Sequence, residues 1–358
     1  VAVLVLSLAA CDSGPRPGGL PERVARLDPE DAGDDGRARG SDGPPRGTVR
    51  LAFAGDVHFE LQHRRLLGRP ATALRAIAPA LRSADVTMVN LESAVTRRGT
   101  PEPKKYHFRT DRRALDVLAG AGVDVASLAN NHAVDYGAVG LRDTLAAKRS
   151  DPPVALVGVG ADRREAFAAH RVRVGSTDLA FLAASSRREY TMDAWSAAPG
   201  SPGIAAARHP RPRDLLDAVE REAARADVVV VYLHWGDEYA RCPDPKQRTT
   251  ARALVAAGAD VVVGTHAHVL QGSGWRGDSY VNYGLGNFLW YHNYRREDTG
   301  VLQVTIRDGE VVGDAWTPAA VDVDGSLPRP VSGPAAAQDR RAWERLRSCT
   351  DLAGSPQG

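Results

Sequence analysis

Five short β-branched runs, at residues 49–54, 86–90, 123–128, 228–233 and 261–264, each give way within a few positions to Asp, Asn, Glu or His. A run such as Val228-Val229-Val230-Val231-Tyr232-Leu233 has no polar face, so it fits a strand covered on both sides rather than one facing water. Helix patterns lie between or beside these runs, at residues 71–83, 112–121, 137–149, 213–226 and 246–257. In the fourth, Leu215, Val219 and Ala223 recur at the spacing of one buried helical face. Gly258 stands where a left-handed cap is expected after the fifth. Strands alternating with helices predict an α/β fold with a substantial sheet. Later strand-like runs at 170–174, 179–184, 279–285, 302–307 and 311–316 have few helices between them. They predict a second, more antiparallel sheet packed on the first.

The polar residues that end the first five runs are the functional signal. Asp56 and His58 follow the first run, Asn90 and Glu92 the second, and Asn130, Asn131 and His132 the third. His234 ends the fourth, and His266 and His268 follow the fifth. Carboxyl ends of strands are where open α/β sheets bind ligands, so all five groups are expected at one sheet edge. Mixed Asp, Glu, His and Asn donors suit Mn, Zn or Fe, and without clustered cysteines a structural zinc site is disfavoured. The donors exceed the needs of one tetrahedral ion but match two divalent ions about 3.5–4 Å apart that share a carboxylate. Each group also has a plainer reading. Asp56 could cap a turn, Asn130 and Asn131 could be turn residues, and His234 could be a hydrogen-bonding surface histidine. His63, His107, His170, His209 and His292 lack such placement and read as structural or surface residues.

The two ends of the chain differ from the middle. Val1 to Ala10 is apolar and runs into Leu8-Ala9-Ala10-Cys11, which is too short to span a bilayer but fits the apolar core of a secretory leader ending in a bacterial lipobox. With no Met and no basic segment before Val1, the leader is expected to begin upstream. Lipidation of Cys11 would make the protein extracytoplasmic and membrane-anchored. Residues 12–47 are rich in Gly, Pro, Asp and Arg and read as a disordered tether. The folded body is expected over 48–330, and a Pro-rich, polar tail with a short helix at 339–348 over 331–358. Cys242 and Cys349 remain as a possible disulfide in an oxidising compartment, or as two separate thiols. Forty-six Lys and Arg against 44 Asp and Glu, with no sustained basic stripe, give nucleic-acid binding no electrostatic support.

Six motifs occur in order: Gly55-Asp56-Val57-His58, Val89-Asn90-Leu91-Glu92, Ala129-Asn130-Asn131-His132 through Gly137, His234-Trp235-Gly236-Asp237-Glu238-Tyr239, Gly264-Thr265-His266-Ala267-His268 and Tyr283-Gly284-Leu285-Gly286-Asn287-Phe288. Together they resemble the CapA-type capsule or poly-γ-glutamate biosynthesis family of the calcineurin-like metallophosphatase superfamily. The resemblance implies a four-layer α/β/β/α sandwich of two mixed sheets flanked by helices. It also implies that Asp56, His58 and His268 hold one metal, that Asn131, His234 and His266 hold the other, and that Glu92 bridges them. His132 would be a neighbouring acid that protonates the leaving oxygen or stabilises charge in the transition state. Trp235, Glu238 and Tyr239 would orient His234 or line the pocket. Asn287 is a family pocket element, and Asp135 either caps the helix opening at Gly137 or meets substrate. Thr265, Ala267 and Gly284 depart from the family pattern without removing a ligand. The implied partners are a cell-envelope polymer or its precursor and capsule-synthesis membrane proteins. Two functions compete: a metal-dependent hydrolase of phosphoesters, and a non-hydrolytic component of polymer synthesis, export or anchoring. Amide hydrolysis or transfer on polyglutamate lies between them.

Overall fold

The computed structural model describes residues 24–26, 47–291, 297–321 and 327–357. Cys11, the leader at 1–11, His292 and most of the 12–47 tether lie outside these residues. Within the tether, Val24–Arg26 forms a strand that pairs antiparallel with Val172–Val174, so this part adds an edge to a sheet.

Two mixed sheets form the middle of the molecule. The first runs in the order Arg329–Pro330, Glu310–Val321, Glu297–Arg307, Thr48–Val57, Val86–Leu91, Val125–Ser127, Ala155–Val157, with Asn287–Leu289 added beside Thr48–Val57. Its last four ordered strands are parallel to one another. The second runs Val24–Arg26, His170–Val174, Thr177–Ser185, Val228–His234, Val261–Thr265, Ser279–Asn282, Ser273–Arg276, and its four strands from Thr177–Ser185 to Ser279–Asn282 are parallel.

The period of two along each strand explains the layers. Leu51, Phe53, Val228, Val230, Tyr232, Val261 and Val263 fill one core between the sheets. Their neighbours point the other way. Ala52 and Ala54 pack under the helices Arg113–Ala121 and Gly137–Arg149. Val229, Val231 and Val262 pack under Arg213–Ala223 and Pro245–Ala256. The result is helix, sheet, sheet, helix, as the family resemblance implied. Between the sheets the Tyr232 hydroxyl donates to the Ala54 carbonyl at 2.6 Å.

Two expectations are corrected. Residues 71–83 are mostly tight turns, with α-helix only at Ala78–Leu81, because Pro79 has no N–H to donate and fits only the first turn of a helix. The tail helix spans Gly333–Arg345, six residues earlier than expected; Pro334 sits in its first turn and alanines follow, which favours helix there. The tail also packs on the body. Trp343 stacks on Trp316 at a centroid distance of 5.2 Å, and Cys349 is bonded to Cys242 with their Cα atoms 5.6 Å apart.

Candidate metal centre

The strand ends converge from two sheets rather than one. Asp56 lies near the end of a strand of the first sheet and Glu92 and Asn131 follow two others, whereas His234 ends a strand of the second and His266 and His268 follow the next. The parallel segments of both sheets bring their carboxyl ends to the same seam. Close backbone approach makes this possible: a Cβ on Gly55 would collide with the Gly286 carbonyl, and Asp56 N–H donates to that carbonyl at 2.9 Å. His266 and His268 have φ of 86° and 56°, left-handed backbone that costs a residue with a Cβ about 1–2 kcal/mol. The turn accepts that strain and places two imidazoles at the seam.

Two groups of donors have all their ligand atoms within 4.8 Å of one another: Asp56, Glu92 and His268, and Glu92, His234 and His266. Glu92 belongs to both. His268 Nδ1 lies 3.4 Å from Asp56 Oδ2, and His234 Nε2 lies 3.5 Å from Glu92 Oε1. The Asn131 side-chain oxygen is 2.9 Å from His234 Nε2, and His266 Nδ1 is 3.0 Å from the same nitrogen. Both carboxylate oxygens of Glu92 and His266 Nε2 are buried with no hydrogen-bond partner. Buried polar atoms are nearly always satisfied, so three orphans within one donor group fit a divalent cation, and the donor set is one that such ions accept.

Titration behaviour follows the same pattern. Burial, reinforced by the charge of Asp56, holds Glu92 well above the ordinary carboxyl range. Burial and neighbouring imidazoles hold His234 and His266 well below the usual histidine range. His268 is opposed by burial too, but its contact with Asp56 wins and raises it.

Amides brace the carboxylates. Asn90 Nδ2 donates to Asp56 Oδ1 at 2.8 Å, and Asn130 Nδ2 donates to Asn90 Oδ1 at 3.0 Å. Asn287 Oδ1 stands 2.8 Å from His268 Nδ1. His132 presents Nε2 to the centre, 3.9 Å from Glu92 Oε1, while its Nδ1 is 2.6 Å from Asp135 Oδ2. Asp135 therefore orients His132 and does not cap the following helix, whose N-cap position is Tyr136. Burial pushes His132 below the usual histidine range, against the raising pull of Asp135.

His58 is not brought into either group. Its ring is packed by Phe108 at 4.9 Å and by Trp290 and Tyr291 at 4.5 Å each, and its nitrogens face the backbone N–H groups of Glu60 and Tyr291. Trp235 is fully buried under the outer helices, and its Nε1 donates to the Tyr283 carbonyl at 2.8 Å, because it follows His234 and so points to the opposite face. Glu238 does reach the seam, in a third group with Glu189 and His266, and Tyr239, 68% exposed, lies 6.2 Å from the His268 ring.

Four contributors were missed from sequence. Lys104 donates to Asp135 Oδ1 at 2.7 Å, and Phe108 stacks on His132 at 4.0 Å. Glu189 accepts from Asn131 Nδ2 at 2.9 Å, and Trp290 lies 4.5 Å from His268. They sit in aperiodic stretches, where the only available signal is Tyr106-His107-Phe108 and Trp290-Tyr291, aromatic clusters outside any strand or helix pattern.

Two stacked mixed sheets, outer helices and a seam of Asp, Glu, Asn and His donors define a metallophosphatase-like protein with a candidate metal centre. Within that class, residues 50–292 match the family described as bacterial capsule synthesis protein PGA_cap, and the chain belongs to it. Relatives include the capsule biosynthesis protein CapA of Bacillus anthracis, 29% identical over 84% of this chain and 74% of that protein. The PGA biosynthesis protein CapA of Bacillus subtilis is 30% identical over 79% of this chain and 74% of its own length. A probable polyglutamine synthesis accessory protein of Mycobacterium tuberculosis is 28% identical over 63% and 62%.

Proposed function

We propose that this protein is an extracytoplasmic metal-dependent hydrolase, anchored through Cys11, that cleaves phosphoester bonds in a cell-envelope polymer or its precursor beside capsule-synthesis membrane proteins. The observation that carries the reading is that both oxygens of the Glu92 carboxylate and His266 Nε2 are buried without hydrogen-bond partners, in residues that share one donor group. Asp56, Glu92 and His268 would hold one divalent cation, and Glu92, His234, His266 and Asn131 the other. Such cations supply Lewis acidity to phosphoryl oxygens. The chain's own residues do the rest. Asp135 fixes the His132 ring so that Nε2 is the atom from which a proton passes to a leaving oxygen. Lys104 neutralises Asp135 on its far side and keeps that carboxylate from drifting into the centre. The test is to strip the protein of metal, reload it with Mn or Zn, and assay an activated phosphoester. Turnover only in the reloaded protein supports the reading, whereas native protein without bound metal would sink it.

The packing of His58 favours a second reading, a non-hydrolytic component of polymer synthesis or export, because it leaves one cation a ligand short of the expected set. Rescue of a deletion strain's envelope by Asp56→Ala or His132→Ala would select it.

A further inference from the structure

Behind Phe108, on the side turned away from the candidate centre, lies a cavity of about 300 Å³, at the lower end of the range for ligand pockets. None of the candidate cation ligands lines it. Phe108 stacks on His132 at 4.0 Å, and the next residue, Arg109, turns into the cavity, as neighbours along an extended segment do. His58 and Phe59 divide in the same way, His58 against Phe108 and Phe59 in the cavity wall. The cavity therefore shares a wall with the centre but is separate from it.

Four guanidinium groups line this cavity, those of Arg64, Arg97, Arg109 and Arg113, against the single carboxylate of Asp111. Lys and Arg together make up 46 of the 358 residues of the chain but four of the nine that line the cavity, so composition alone does not account for the cluster. The nearby carboxylates are already engaged. Asp111 Oδ1 accepts from the Arg113 backbone N–H at 2.9 Å and from Arg113 Nε at 3.1 Å, and its Oδ2 pairs with Arg97. Glu60 Oε2 pairs with Arg64, and Glu60 Oε1 accepts from the Arg109 backbone N–H at 2.9 Å. The Arg109 guanidinium sits over the Tyr136 ring, 4.5 Å from its centroid, and among the described residues no carboxylate pairs with it. A ring face attracts a cation without neutralising it. Four cations against Asp111 and Glu60 leave an excess of two positive charges around one cavity, as large as the net +2 of the whole chain. Like charges gathered around one space repel, a cost that a bound anion removes.

We propose that this cavity binds a phosphate-class oxyanion, free or as the monoester end of a larger molecule, with Arg109 as its principal ligand and Arg97 and Arg113 beside it. Guanidinium forks match the paired oxygens of a tetrahedral dianion, and three of them converging on one small space suit a compact dianion better than charges spread along a chain. Asp111 takes part by bridging Arg97 and Arg113, which fixes both side chains at the cavity wall. The assignment is independent of the hydrolase reading, because no candidate cation ligand contributes to it. It gives the molecule an anion site outside the metal centre.

The test is calorimetric titration of the full chain, chelated and cation-loaded, with inorganic phosphate, glycerol 3-phosphate and succinate. The expected result is phosphate binding by the chelated protein that Arg109→Ala weakens about tenfold, with cation content unchanged. Arg109→Lys, which keeps the charge but not the fork, should fall between the two. Arg97→Ala should weaken binding as well, and at a side chain 69% exposed it costs the fold little, so a folding defect in the Arg109 variants does not decide the outcome. Tighter binding of glycerol 3-phosphate than of phosphate would identify a monoester as the source, and the reverse order the free ion. No phosphate binding by the chelated protein, equal binding by Arg109→Ala and Arg97→Ala, or succinate bound as tightly as phosphate would each overturn the proposal. Turnover enters none of these outcomes, so failure here and failure of the hydrolase reading are told apart.

Discussion

The two sheets bring different ligand chemistry to the seam between them. The first contributes carboxylates and amides, Asp56, Glu92, Asn90, Asn130 and Asn131, and the second contributes imidazoles, His234, His266 and His268. Burial acts on both halves but moves them in opposite directions, raising Glu92 and lowering His234 and His266. Glu92, His234 and His266 are therefore biased toward their neutral forms when no cation is present. A divalent ion reverses the preference on the acidic side and satisfies the lone pairs on the other. The comparison teaches that the centre is a joint between sheets, with donors drawn from both.

The sharpest way to break this picture is Glu92→Gln. Because Glu92 belongs to both donor groups, the variant is expected to lose both cations and all measurable turnover, read by metal analysis and a phosphoester assay. His266→Ala should instead leave one cation behind. Next in size is His132→Ala, expected to lower turnover by about 10²–10⁴-fold with cation content intact; loss of metal in this variant would place His132 among the ligands.

Thermal unfolding measures the joint itself. Cation at about 100 times its Kd should stabilise the chelated protein by about 2.7 kcal/mol, and Glu92→Gln should remove that gain. Acidity then separates the halves. In chelated protein the contribution tied to Glu92 is fully present below its ordinary value of 4.5 and is lost as pH rises toward its raised value in the fold. That tied to His234 and His266 is present above their ordinary value of 6.5 and is lost as pH falls through their depressed values. Denaturant midpoints across pH should show Glu92→Gln blunting only the alkaline loss, and His266→Ala only the acid one. The smallest effect is expected from Trp235→Phe, which removes one buried hydrogen bond and should cost about 1 kcal/mol without changing metal content.

Much of this arrangement was legible in the sequence for one reason. Strands covered on both faces must be apolar throughout, so Val228–His234 and Val261–Thr265 announce themselves, as do the polar residues where they stop. What could not be read is which sheet each strand joins, since pairing is decided by contacts far apart in the chain. Thr48–Val57 and Val261–Thr265 look alike in sequence yet lie in different sheets, and the expected single edge became a seam. Loop residues such as Lys104 and Glu189 carry no periodicity, and only tertiary contact reveals them. His58 was legible as a motif member but not as a ring held among Phe108, Trp290 and Tyr291.

The left-handed backbone at His266 and His268 has a consequence for how this protein could be improved. A chain selected only for durability would carry glycine at both positions, where that conformation is free of strain. Glycine at 266 or 268 should therefore relax the turn while deleting a donor, so that robustness and occupancy pull against each other at the same two codons. A stabilising screen run without metal would be expected to discard these histidines first.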